Sequence, residues 1–72
     1  MEKTKRYLID PRSVGFFKAI LESYDDVAIF SVLDGRAGLI EIIYPVFFES
    51  HVNGIIESMI KEGIQFREVE CV

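Results

Sequence analysis

The chain has 72 residues, with eight Lys/Arg against twelve Asp/Glu for a formal charge of −4; half of its residues are hydrophobic and 28% are charged. That balance is too apolar for disorder, too charged for a membrane protein and too acidic for non-specific nucleic-acid binding. The length allows a single domain over residues 1–72, and a monomer of this size buries only about 60% of the surface its unfolded chain exposes.

Small domains usually add disulfides, a metal or a partner chain. The single cysteine, Cys71, has no internal partner, and no Cys/His set has zinc spacing. No cofactor is therefore expected, and the remaining stabiliser is association, a homo-oligomer with a dimer as the first expectation. The polar start Met1–Arg6 lacks the apolar run of a signal peptide, and no segment approaches a membrane span. The expected location is cytoplasmic, with no membrane or nucleic-acid partner.

Arg6-Tyr7-Leu8-Ile9 reads as the first strand, rich in β-formers. Asp10-Pro11 ends it and suits a helix cap followed by proline in the first turn; Ser13 is a rival cap that would start the helix near Val14. Val14, Phe17, Leu21 and Tyr24, widened by Ile20, recur at helical spacing, and Asp25-Asp26 breaks the pattern. Val27 to Leu33 and Leu39 to Tyr44 read as strands joined by the turn Asp34-Gly35-Arg36-Ala37-Gly38, a hairpin whose glycines are expected at positive φ. Pro45 closes it. A second helix lies within Val46 to Glu62, with Phe48, Val52, Ile55, Ile56, Met59 and Ile60 as its apolar stripe and Gly63 as its stop. Ile64 to Val69 is the last strand.

The order β-α-β-β-α-β predicts an α+β fold of the ferredoxin-like type: a four-stranded antiparallel sheet with two helices on one face. That fold names no function. Strand alternation then sorts the residues. Ser31 and Glu41 fit poorly beneath helices, so they go to the open face. Ile29, Leu33, Leu39, Ile43, Gln65 and Arg67 follow by parity, joined by Arg6 and Leu8. The helix-covered face keeps Ala28, Phe30, Val32, Ile40, Ile42, Tyr44, Ile64 and Phe66. A half-apolar open face with Arg6, Arg67 and Glu41 able to pair points to a covered surface. The expected interface residues are Leu8, Ile29, Leu33, Leu39, Glu41, Ile43 and Arg67.

The segment Asp10-Pro11-Arg12-Ser13-Val14-Gly15-Phe16-Phe17-Lys18-Ala19-Ile20-Leu21 resembles the first loop and helix of ACT domains, βαββαβ sensors of small molecules, often amino acids. The whole chain also resembles a small bacterial ACT-like family of unknown function, with an Asp-Pro helix start and a helix ending near Glu22-Ser23-Tyr24. The ACT resemblance implies a non-enzymatic regulatory module that holds an amino acid or small anion. Asp10 and Gly15-Phe16-Phe17-Lys18-Ala19-Ile20 match that pattern, and the candidate ligand residues of the Asp10 to Phe16 loop, where it would meet a neighbouring subunit, are Asp10, Arg12, Ser13 and Gly15. Read by itself, Gly15 marks either close helix packing or an approach of backbone to ligand, strand or subunit. Arg12 can face an anion beside the free N–H groups of the helix start, or simply be solvated.

Two alternatives stand beside that reading. One is a protein-interaction module docking through the open sheet face. The other is an enzyme: Arg12 to Phe17 resembles the anion loop of acylphosphatases, although the Gln-Gly pair of that loop is missing and the only asparagine, Asn53, lies on the second helix. Base stacking of the RNA-recognition kind lacks its aromatics, because Leu39-Ile40-Glu41-Ile42-Ile43 supplies aliphatics and a carboxylate. His51 reads as an exposed helix histidine and Cys71 as a free thiol near the end.

Overall fold

The structure, a computed structural model, describes residues 1–23 and 28–69. Four strands, β1 (Glu2–Ile9), β2 (Ile29–Asp34), β3 (Leu39–Pro45) and β4 (Phe66–Val69), form one sheet in the order β2-β3-β1-β4, with every neighbouring pair antiparallel. Helix α1 (Val14–Glu22) joins β1 to β2, and α2 (Glu49–Lys61) joins β3 to β4. The fold is α+β, an open antiparallel sheet with two helices. No helix among the described residues is long and apolar enough to cross a membrane.

One core holds the two layers together. Tyr7 and Ile9 of β1 and Ile40, Ile42 and Tyr44 of β3 supply the sheet side, meeting Phe17 and Leu21 of α1 and Val52, Ile55, Ile56 and Met59 of α2. The period of two in the central strands and the i, i+3, i+4, i+7 spacing in α2 place these groups on one side of each element. Phe17 is the hinge of an aromatic set. Its ring stands edge-on to Phe66 at 5.1 Å and to Phe30 at 5.6 Å, while Tyr7 meets Phe66 at 5.7 Å. No polar or charged residue is buried among the described residues.

Several boundaries and positions differ from expectation, each for a local reason. Strand β1 begins at Glu2 rather than Arg6, because its backbone pairs with β3 out to Glu2–Pro45, and the Lys3 ammonium finds the Glu49 carboxylate at 2.6 Å. Of the two candidate caps at the first helix, only Asp10 caps with its side chain. The Asp10 carboxylate accepts from the Arg12 amide and opens a 3-10 turn over Pro11–Ser13; Ser13 then precedes α1 without a side-chain cap bond. Strand β4 starts at Phe66 rather than Ile64. The Gly63 amide bonds to the Ile60 carbonyl and the Ile64 amide to the Met59 carbonyl, so Ile64 completes the left-handed closure of α2 instead of joining the sheet.

Ile60 is half exposed, outside the stripe assigned to it, and Val32, assigned to the covered face, is also about half exposed. Val32 lies on edge strand β2 beside a register shift, between Val32 and Asp34, that leaves Leu33 out of the alternation; Asp34, not Leu33, pairs with Leu39. Of the two hairpin glycines only Gly38 has a positive φ, 77°. A Cβ there would lie 1.9 Å from the Ile9 carbonyl oxygen, and the Gly38 carbonyl accepts from the Ile9 amide at 2.9 Å. The Asp34 carboxylate ties the turn by accepting from the Arg36 and Ala37 amides. The expected Tyr24 contact, the Asp25-Asp26 break, the Val27 strand start and Cys71 fall outside the described residues.

Candidate functional site

Two surfaces contain the residues singled out by the sequence. The first is the loop from β1 into α1. Here the Asp10 carboxylate is consumed locally: one oxygen accepts from the Arg12 amide at 2.9 Å and from Nε at 3.2 Å, and the other from Nη2 at 2.9 Å. The side-chain bond to Arg12 is the largest cause holding the Asp10 carboxyl below its ordinary 3.8, followed by the backbone bond; the same pair raises Arg12. The pair is solvated, with the Arg12 side chain 90% exposed. Asp10 and Ser13 line a cleft of about 440 Å³ that reaches past Gly63 to Gln65 and Arg67, whereas Arg12 and Gly15 do not line it. A Cβ built on Gly15 meets nothing within 4 Å, so close packing inside the chain does not explain this glycine.

The second surface is the uncovered side of the sheet, where register brings residues from four strands into rows. The central row runs Ser31, Glu41, Arg6, Val69. On one side of it lie Ile29, Ile43 and Thr4, and on the other Asp34, Leu39, Leu8 and Arg67. At the centre the Arg6 Nε donates to Glu41 Oε2 at 2.9 Å. The two side chains are 34% and 16% exposed, more sheltered than the other ion pairs. Aliphatic groups flank this pair along the strands, and Ile29 at the edge is 61% exposed. Leu8, Ile29, Leu39, Glu41, Ile43 and Arg67 thus share this side, while Leu33 sits at the bulge.

A third feature was not legible in the apolar spacing. Between α1 and α2 runs a groove of about 650 Å³, walled by Phe16 and Ile20 on one side and by Ser50, Gly54 and Ser58 on the other, with His51 at its rim. The small residues four apart on α2 are the only trace it leaves in the sequence. His51 is exposed, with its ring edge-on to Phe48 at 5.7 Å.

The remaining ionisable cluster is structural. Buried Tyr44 donates to Glu49 at 3.4 Å, and Lys3 holds the same carboxylate; the Lys3 bond is the main cause lowering the Glu49 carboxyl. Burial, with the Glu68 charge second, pushes Tyr7 up to about 12, and burial likewise raises Tyr44. Both phenols are thus held further in their neutral form. Among the described residues no three His, Cys, Asp or Glu side chains stand together in a way that could hold a metal.

A family model described as a domain of unknown function (DUF4911) matches residues 7–62, from the last residues of β1 to just past α2. The chain belongs to that family. The match takes in α1, the hairpin, α2 and most of the uncovered sheet face. No curated protein and no solved structure matches the chain.

The Asp10–Arg12 geometry has a measurable consequence. A carboxyl held below its ordinary value stabilises the fold fully above the unfolded-state value and loses that contribution as pH falls through the folded-state value. Asp10→Asn, which keeps a capping side chain, is expected to lower Tm slightly at pH 7 relative to wild type, with the difference closing below about pH 3.9. A difference independent of pH, followed by differential scanning calorimetry, contradicts the assignment.

Proposed function

We propose that this chain is a non-enzymatic association module of the ferredoxin-like, ACT-like kind. In this reading it acts as a homodimer joined through the uncovered face of its sheet. The finer fold reading draws support from the order β2-β3-β1-β4, in which each helix connects two strands that are not neighbours.

The observation that carries the functional reading is the composition of that face: Leu8, Ile29, Leu39 and Ile43 surround one sheltered ion pair, with no helix above them. Uncovered apolar area of this kind marks a docking surface. The Cα envelope measures 30 × 28 × 16 Å, so its broad side is on the scale of the roughly 800 Å² that each partner contributes to a stable interface. Charge favours a second copy as the occupant. The chain carries −4 overall, but the central rows of the face balance Arg6 and Arg67 against Glu41 and Asp34. Two such faces meet without setting acid against acid. A different protein docked on the same face is the competing occupant.

A small-molecule role rests on a separate observation, the cleft beside Asp10 and Ser13 that opens toward Arg67. An amino acid or small anion fits its size. The Asp10–Arg12 pair weighs against those two groups as direct ligand holders, because each already occupies the other. Titrating the twenty amino acids and inorganic phosphate and sulfate in a thermal-shift assay tests this part. A saturable rise in Tm supports a ligand seat, and a flat response from all of them removes it.

The association reading is tested by neighbouring substitutions of opposite parity. Ile43→Lys is expected to convert the dimer to monomer with its circular dichroism unchanged, since its ammonium enters water once the partner leaves. Ile42→Lys places the same charge in the core, at a cost of several kcal/mol, against a total stability on the order of 5–15 kcal/mol, and is expected to unfold the chain. Light scattering and circular dichroism report both. An Ile43→Lys variant that remains dimeric contradicts the proposal.

A further inference from the structure

We propose that two copies of this chain meet face to face about a two-fold axis that runs along the strand direction, placing Arg6 of each copy over Glu41 of the other. This inference rests on the association reading above and adds its geometry.

Symmetry and charge select this axis. Arg6 and Glu41 are cross-strand partners on adjacent strands, side by side at the centre of the face. A two-fold axis lying in the interface and parallel to the strands exchanges the β2 edge of one copy with the β4 edge of the other. Strand β3 of each then lies over β1 of its partner, and each residue stays in its own row. Glu41 faces the second copy's Arg6, twice. In the next row Asp34 at the β2 edge faces the second copy's Arg67 at the β4 edge, and Leu39 faces Leu8. A two-fold axis running across the strands instead lays each strand over its own counterpart. Through the central row it stacks Glu41 on Glu41 and Arg6 on Arg6, and displaced by one row it sets Glu41 against Leu39 or Ile43 and Arg6 against Leu8 or Thr4. Like charges opposed across an interface cost several kcal/mol, and a displaced pair gains no partner beyond the one it already has within its own chain. The first axis alone gives the central pair two more partners of opposite sign.

The resulting square of two arginines and two glutamates acts on specificity more than on affinity. Taking the groups out of water offsets much of their mutual attraction, so the aliphatic rows supply the binding and the charges select the axis. The mean strand directions of the two sheets then stay nearly parallel, within the roughly 30° range of aligned two-sheet packing.

Cross-linking separates the two axes. The central row ends on Ser31 at one edge and Val69 at the other. The strand-parallel axis sets Ser31 over the second copy's Val69, and the transverse axis through that row sets each over itself. Ser31→Cys and Val69→Cys, each in full-length chain carrying Cys71→Ser, are treated singly and as an equimolar mixture with a bifunctional thiol reagent of about 8 Å reach, near the roughly 10 Å spacing of packed sheets. The expected result is a cross-linked dimer in the mixture and none with either variant alone. Cross-linking of Ser31→Cys with itself, or of neither combination while both variants sediment as dimers, overturns the proposed axis and leaves the dimer standing. Sedimentation of the uncross-linked variants as monomers, with wild type also monomeric, overturns the dimer itself. As a second readout, Arg6→Glu and Glu41→Arg are each expected to weaken self-association at least tenfold, and mixing the two is expected to restore dimers. If both variants dimerise as tightly as wild type, the central pair lies outside the interface.

Discussion

Two helices can cover one side of a four-stranded sheet, and the described residues form two α-helices. Every other feature follows from that constraint. The core is built from alternate residues of β1 and β3 and one stripe of each helix; the other residues of the same strands are left on the far side. Among the described residues the far side keeps Leu8, Leu39 and Ile43 around the Arg6–Glu41 ion pair. That composition is costly to leave in water and well suited to a second sheet of the same kind.

The elements at the two ends of the sheet are arranged to protect this division. Strand β1 is central, so its terminus must be held firmly, and the hairpin does this through Gly38, whose backbone packs directly on Ile9 in a way no side chain would allow. At the opposite end, the Lys3–Glu49–Tyr44 set fastens the start of β1 to the start of α2. The loop into α1 is self-contained, with Asp10 and Arg12 bound to each other. Its ion pair therefore reads as a fastening before it reads as a ligand site, and the adjoining cleft is shaped by β4 and Gly63 as much as by the loop.

Much of this architecture is legible in single residues. Glu41 and Ser31 are awkward beneath a helix, and they alone suffice to orient β2 and β3, whose neighbours then sort by parity. Where parity fails, a backbone feature intervenes. The shift between Val32 and Asp34 removes Leu33 from the row it was assigned, since a bulge leaves no trace in hydrophobic spacing. The early start of β1 is hidden because Lys3 and Lys5 read as a polar leader, while pairing with β3 depends on backbone groups that every residue carries. The delayed start of β4 follows from hydrogen bonds at the end of α2 that only the left-handed Gly63 makes possible. In the candidate site, Asp10 and Ser13 can be placed together from their spacing. That the Asp10 carboxylate turns back on Arg12 depends on side-chain rotamers, and so does the groove between the helices.

The central claim is that the uncovered sheet face is occupied by a second copy of the same chain. Sedimentation equilibrium of the unmodified protein across micromolar concentrations tests it most directly. The expected result is a mass near twice 8.3 kDa, falling toward the monomer value on dilution with no change in helix content. A single species of 8.3 kDa that persists to high micromolar concentration contradicts it.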